Sequence, residues 1–432
     1  MRKVPSNQIP ENFYNNKVMK VLFFAFIGHF LELYDYTIYV VMLTIISPMF
    51  FPSSSIAGSV SLGLLSFAFS LLIMPLAAWF WGWYGDKHGR LPMLKHSIML
   101  MALPSLIIAI LPTYQEIGIF APSILIGCRF LQTFSASGEV SGAKIFAMEH
   151  LGKNNLGKIS GLLSCGAGLG VLLAMGMGLL LSNTCLSWRL PFFLGSSLAI
   201  VGIMIRRKVA ESPEFIKLMQ KQHSDVLSIS STFSMLKAHK TQAIVVIVLG
   251  AMLGVLSYMM HAFLNPYIIS LGYANNVAYR MGVVGLAACG LASIITGVII
   301  DRLLSAKTIM LSNIASCVVL IPFTFILMLL SVTSYNEFLL YLAFIIQGIL
   351  LGINATTSSV IMYQLFKPEN RCRGVMICYG IGMAIFGGFT PIILHLSTKF
   401  GNFSPAIIVS IFVILAYFVY KKNIGKIYDA VP

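Results

Sequence analysis

Residues Gly28-His29-Phe30-Leu31-Glu32-Leu33-Tyr34-Asp35-Tyr36 place three ionisable side chains inside a largely apolar run from Val21 to Phe51. A membrane span needs roughly 20 residues at 1.5 Å each, so this run is long enough to cross a bilayer. A charged side chain near the bilayer centre costs about 2.5 kcal/mol or more on insertion scales. Three on one span therefore imply a polar interior supplied by other helices. Steps of three residues spread His29, Glu32 and Asp35 over roughly one third of the helix circumference. One broad face is expected to point all three at that interior. The plain alternative is a buried structural ion pair with another helix.

The rest of the chain supports the same solvent. Hydrophobic residues make up 58% of the 432 and charged residues 10%, with mean hydropathy +0.88. Soluble domains carry about 25% charged residues. The expectation is an all-α membrane protein with twelve transmembrane helices. They fall near 21–49, 57–82, 92–111, 119–147, 159–181, 188–205, 242–265, 279–300, 308–331, 337–362, 374–397 and 404–420. After the polar stretch Met1 to Lys20 no small-residue cleavage site follows a short apolar core, so the first span is expected to be retained.

The net charge of +15 does not point to nucleic acid, because its placement is systematic. The odd-numbered gaps Phe50–Ile56, Pro112–Gly118, Ser182–Ser187, Pro266–Ala278 and Val332–Asn336 lack Lys and Arg. The even-numbered gaps hold Lys87, Arg90, Lys95, Lys153, Lys158, Arg206, Arg207, Lys208, Lys217, Lys221, Lys237, Lys240, Arg302, Lys307, Lys367, Arg371 and Arg373. The ends add Arg2, Lys3, Lys17 and Lys20, and Lys421, Lys422 and Lys426. The positive-inside bias then puts both termini and all even gaps in the cytoplasm. The seven cysteines, Cys185 among them, are odd in number and scattered, which gives neither a disulfide framework nor a metal site. No cofactor is expected. No accessible domain carries a nucleophile, metal cluster or phosphate-binding turn, so an enzyme is not expected either.

One long hydrophilic stretch divides six spans from six. The implied units are 1–205, a central loop over 206–241, and 242–432. An ungapped offset of 215 residues lays Gly82 on Gly297, Asp86-Lys87 on Asp301-Arg302, Gln132 on Gln347 and Lys158 on Arg373. Such polar matches are improbable by chance in a chain dominated by Leu, Ile and Phe, and point to a duplicated bundle. The offset also carries Glu32 onto Ile247, Asp35 onto Gly250 and Arg129 onto Phe344. Intramembrane charge is thus concentrated in the first half, where proton or ion coupling is expected.

Between spans two and three stands Gly82-Trp83-Tyr84-Gly85-Asp86-Lys87-His88-Gly89-Arg90. Glycines permit close helix approach and tight turns, Asp86 suits a helix N-terminus, and Arg90 suits a neighbouring carboxylate. Together they form a candidate latch; an ordinary solvated turn is the alternative. Here the chain resembles the major facilitator superfamily, and within it the metabolite:proton symporters related to proline/betaine, α-ketoglutarate and shikimate transporters. The resemblance runs from about Gly28 to Leu396. Its markers include Glu32-Leu33-Tyr34-Asp35-Tyr36, Arg129-Phe130-Leu131-Gln132-Thr133-Phe134-Ser135 with Gly138-Glu139, and Glu149. Further markers are Trp188-Arg189-Leu190-Pro191-Phe192-Phe193, Glu211-Ser212-Pro213-Glu214-Phe215, and Leu365-Phe366 before Arg371 and Gly374. The chain departs from that pattern at His29, where Asn is common, at Leu33, at Met74, which replaces an arginine, and at Lys144, an added cation.

The resemblance implies two six-helix bundles of the major facilitator fold in a bacterial inner membrane, rocking around a midplane site. It implies proton symport of a small zwitterion or organic acid, with proline or betaine as first choice. The rival readings are a dicarboxylate or organic-anion exchanger, a drug-efflux carrier and a transport-dead receptor. Glu32 and Asp35 are the expected coupling acids, since a desolvated carboxylate holds its proton more tightly, and His29 a tuner of either acid or substrate. Arg129, costly unless paired, is expected to pair with Glu32 or Asp35 or with a substrate carboxylate. Gln132 shares its helix, and Glu139, roughly 15 Å further along, suits coupling or an inner gate. Gating falls to Gly82, Asp86, Gly89, Arg90, Glu149 and Arg371. His261 and His395 read as structural. The expected partners are a small-molecule substrate, protons and lipid, with a monomeric carrier.

Overall fold

The computed structural model describes residues 16–151, 153–182, 184, 186–206, 209–221 and 229–428; Arg2, Lys3, Cys185, Arg207 and Lys208 lie outside them. Among the described residues every regular element is helical. The first half holds α1 (Asn16–Val41), α2 (Leu43–Phe50), α3 (Ile56–Leu71), α4 (Met74–His88), α5 (Arg90–Ile110), the short α6 (Tyr114–Ile117), α7 (Phe120–Leu151), α8 (Leu156–Ser182) and α9 (Leu190–Arg206). The hydrophilic interruption, read from sequence as a loop, contains α10 (Pro213–Lys221) and α11 (Ile229–Ala238). The second half holds α12 (Lys240–Tyr258), α13 (Leu264–Ser270), α14 (Asn275–Arg302), α15 (Ala306–Ser334), α16 (Glu337–Leu365), α17 (Arg371–Gly382), α18 (Thr390–Ser397) and α19 (Ser404–Tyr428). Each of the twelve expected spans coincides with one helix or with a broken pair.

The breaks have local causes. Pro75 enters α4 in its first turn, where the missing N–H is harmless, and splits the second span after α3. In spans seven and eleven a five-residue π-helix, Met259–Phe263 and Met383–Gly387, precedes a proline, Pro266 and Pro391. Proline lacks the N–H that would close the preceding turn, so the ladder loosens. Leu264 and Gly388 then donate to carbonyls five residues back, at Met259 and Met383. Helix starts are capped by Ser55, Ser305 and Asn336 side chains.

Ten of these helical segments are long and apolar enough to cross a membrane. Two further expected spans fall short for different reasons: α9 is brief, with its apolar part over Leu190–Gly202, while α7 is long but carries Arg129, Gln132, Glu139, Lys144 and Glu149. Large apolar side chains stay exposed along the helices, Met99 at 63%, Leu291 at 64% and Val319 at 67% among them. In water such a belt would aggregate; in a bilayer it is the lipid-facing surface.

Helices of each half pack chiefly on one another, and the halves meet where α8 lies along α14 and α4 along α17. Glycines set both approaches. A Cβ at Gly82 would sit 2.8 Å from the Arg373 Cα, and one at Gly157 or Gly297 would overlap the other's carbonyl. The offset of 215 reappears as reciprocal contacts. Asp86 accepts from the Arg373 backbone N–H at 3.2 Å, and its counterpart Asp301 accepts from the Lys158 N–H at 2.8 Å. Each acid thus caps the first turn of the helix that opens at the equivalent place in the other half.

Candidate functional site

Between the halves lies a cavity of about 120 Å³. Helix α1 presents His29, Glu32 and Tyr36 to it, and α7 presents Lys144. The broken spans contribute Tyr258, His261, Tyr379 and Met383. Pairs related by the 215 offset line it from opposite sides, Met74 with Cys289 and Ser164 with Tyr379. The cavity therefore sits where the two halves face each other. His29 Nδ1 lies 3.1 Å from Glu32 Oε2, one turn apart on the same helix.

Asp35 does not share this cavity. The roughly 120° arc from His29 to Asp35 straddles two environments, and the single polar face expected from the spacing divides at Glu32. Tyr36, about 40° from Glu32, looks into the cavity. Asp35 turns the other way, into the packed first half. There Ser105 Oγ donates a short hydrogen bond to Oδ1, and Gln132 Nε2 donates to Oδ2 at 3.0 Å and to Ser105 Oγ at 2.8 Å. Arg129 Nη1 donates to Gln132 Oε1 at 2.8 Å.

Arg129 therefore meets neither Glu32 nor Asp35 directly, contrary to the pairing expected from sequence; an amide stands between cation and acid. The guanidinium is fully buried and lies 4.3 Å from the Tyr39 ring centroid and 5.4 Å from those of Tyr36 and Phe67. Aromatic faces supply the attraction that a carboxylate would otherwise provide, about 2 kcal/mol where water is excluded. Its Nε and Nη2 have no hydrogen-bond partner. Glu139 also stands apart from the cavity. It accepts from Ser97 Oγ at 3.2 Å, in the seam between α5 and α7.

The expected gating residues converge on one side of the molecule. Arg90 donates through Nε and Nη2 to the two Glu149 oxygens at 3.2 and 3.3 Å. It also reaches the Gly85 and Pro368 carbonyls, both at 2.9 Å. Arg371 Nη1 meets Glu149 at 3.1 Å and Glu214 at 2.6 Å. Arg373 Nε meets Asp86 at 3.1 Å. Gly89 adopts φ +107°, and a Cβ there would run into the Glu211 carboxylate, which accepts from the Arg90 and Leu91 backbone N–H groups at the start of α5. Charges on α4, α5 and α7 thus interlock with those at the start of α17.

Several partnerships are not legible in the sequence. Arg373 was legible as the repeat counterpart of Lys158, but its partner was not. Ser212, whose Oγ donates to Glu149 at 2.6 Å, and Glu214 belong to the marker Glu211–Phe215, but their contacts with Glu149 and Arg371 carry no sequence signal. Ser105 carries no signal that separates it from other serines in spans. Tyr258 likewise reads as an ordinary span aromatic, yet its hydroxyl lies 2.6 Å from that of Tyr36 across the two halves.

The profile of the Major Facilitator Superfamily matches residues 25–374. The chain belongs to this superfamily. Among its relatives, the glycine betaine/proline/ectoine/pipecolic acid transporter OusA of Dickeya dadantii is 25% identical, over 87% of this chain and 77% of that one. The proline/betaine transporter of Escherichia coli K12 is 32% identical over 49% of this chain, a stretch that is 43% of that protein's length. The E. coli inner membrane metabolite transport protein YhjE is 26% identical over 89% of each. Among solved structures, the proton:xylose symporter XylE superposes with a TM-score of 0.72 at 15% identity, covering 94% of this chain and 95% of that one. The human organic anion transporter MFSD10 gives 0.69 at 12%, over 94% and 100%. As a member of the superfamily the protein is a multi-pass membrane secondary transporter and not an enzyme.

Proposed function

We propose that this superfamily member is a proton symporter for a small zwitterionic or organic-acid metabolite, with proline or betaine the leading substrates, working by alternating access in a bacterial inner membrane. The observation that carries the reading is the adjacency of two sites on α1. Glu32 and His29 line the cavity between the halves, while Asp35 is held one turn away in a sealed hydrogen-bond set with Ser105, Gln132 and, through Gln132, Arg129. Substrate and proton then occupy neighbouring but separate compartments on one helix. A proton on Asp35 replaces one acceptor with a donor, so Ser105 or Gln132 must re-pair; Gln132 holds Arg129, and Arg129 lies against Tyr36 on the cavity wall.

In this reading 1–205 and 242–432 act as the rocking units and 206–241 as the strap between them. Gly82, Asp86, Gly89, Arg90, Glu149 and Arg371 hold the side that the Lys and Arg distribution makes cytoplasmic, where both termini lie. The carrier works as a monomer. The names of OusA and the E. coli relative support the substrate class. The deciding experiment is uptake of radiolabelled proline, betaine, 2-oxoglutarate and shikimate into proteoliposomes with and without an imposed pH gradient. Gradient-stimulated accumulation of one of them is the expected result; accumulation of none, or uptake indifferent to the gradient, would overturn the reading.

A further inference from the structure

Lys144 Nζ donates to Ser359 Oγ at 2.8 Å. These residues are separated by 215 positions, so lysine and serine are counterparts in the two halves. Counterpart positions touch only near the axis that relates the halves, which puts this ammonium on the line where the two halves face each other; the counterparts Val140 and Ala355 face the same cavity beside it. An ammonium has three donors, and among the described residues Ser359, a neutral hydroxyl, is the hydrogen-bond partner given to Lys144. Two further cavity-lining polar atoms, Ser164 Oγ and His261 Nε2, are buried without a partner. Ser164 is only 6% exposed. Buried polar atoms left unpaired are disfavoured, and these three converge on one space together with the Glu32 carboxylate.

We propose that Lys144 anchors a carboxylate of the transported metabolite, with Ser164 and His261 completing the oxygen contacts and Glu32 facing a cationic end. This deepens the symport reading and rests on it. The occupant is a small carboxylate-bearing molecule. The cavity of about 120 Å³ is roughly ten times the volume that one water needs, which suits a compact zwitterion of about ten heavy atoms. Lys144 then sets specificity: it favours carboxylates over cations of equal size that lack one.

The test uses the full chain in proteoliposomes with proline and glycine betaine as carboxylate probes and choline as a trimethylammonium probe without a carboxylate. Lys144→Gln should raise the half-saturation concentration for the carboxylates by about 10- to 100-fold, the usual weight of a charge-assisted contact, and Lys144→Arg should recover most of it. Carboxylate uptake by the wild type with unchanged half-saturation in Lys144→Gln overturns the assignment alone. Absence of uptake of proline, glycine betaine, 2-oxoglutarate and shikimate alike by the wild type overturns the symport reading with it. A measurement on the unmodified protein covers the case in which Lys144→Gln does not fold. Acetylation of Lys144, followed by mass spectrometry, should slow in proline or betaine and not in choline; equal rates in all three, or equal protection by choline, overturn the proposal.

Discussion

Asp35 and Glu32, three residues apart, meet different surroundings, and their substitutions should behave differently. Asp35→Asn removes the titrating group but keeps the shape. It should abolish accumulation driven by a pH gradient while substrate counterflow persists; full accumulation in that variant would remove Asp35 from the coupling step. Gln132→Leu tests the amide that joins Asp35 to Arg129. It leaves an acceptor and a donor unpaired in a dry interior, at about 1–3 kcal/mol each, and should lower the detergent-solubilised melting temperature clearly. An unchanged melting temperature would mean that Arg129 relies on its aromatic neighbours alone. The positions of His29, Glu32, Asp35, Arg129 and Gln132 as costly polar groups in spans were legible, because the bilayer penalises each of them whatever surrounds it. Their division between cavity and sealed network was not, because helical spacing gives an angle within one helix and says nothing of where its neighbours stand.

The broken spans are the informative elements. Pro266 and Pro391 could be read from sequence as interruptions, but the π-helical turns before them depend on how the freed carbonyls are accommodated once neighbouring helices pack. Those turns carry His261 and Met383 to the cavity wall. Pro266→Ala restores the missing N–H and should let the segment close into a regular helix. The expected outcome is slower transport without loss of folded protein, with increased hydrogen-exchange protection over residues 259–266; unchanged exchange there would show that packing rather than proline holds the turn. In the close pair α8 and α14, Gly297→Ala forces a methyl into the Gly157 carbonyl. Overpacking of this kind costs about 1–3 kcal/mol, to be read as a lower melting temperature; a neutral result would show that the helices can separate.

At the scale of the whole molecule, the two halves are joined by a symmetric device with an asymmetric addition. Asp86 and Asp301 cap equivalent helix starts across the interface, while the pairs among Arg90, Glu149, Arg371 and Glu214 stand on one side only. Asp86→Asn weakens one cap and its pair with Arg373, and should slow transport without changing substrate preference; an unchanged rate would argue that this contact is not broken during the cycle. Membrane class, the positions of the apolar helices, the repeat and the charged residues that cluster on the Arg90 side were legible in the chain, since each follows from local rules: the cost of charge in lipid, the length of a helix that spans it, and recurrence at a fixed offset. Ser105 and Tyr258, and the partners of Ser212, Glu214 and Lys144, were not. Their meaning comes from partners 27 to 222 residues away, such as Gln132 for Ser105, Tyr36 for Tyr258 and Ser359 for Lys144. Local sequence specifies which groups cannot face lipid; packing specifies which of them meet, because contacts between distant spans depend on how all the helices fit together.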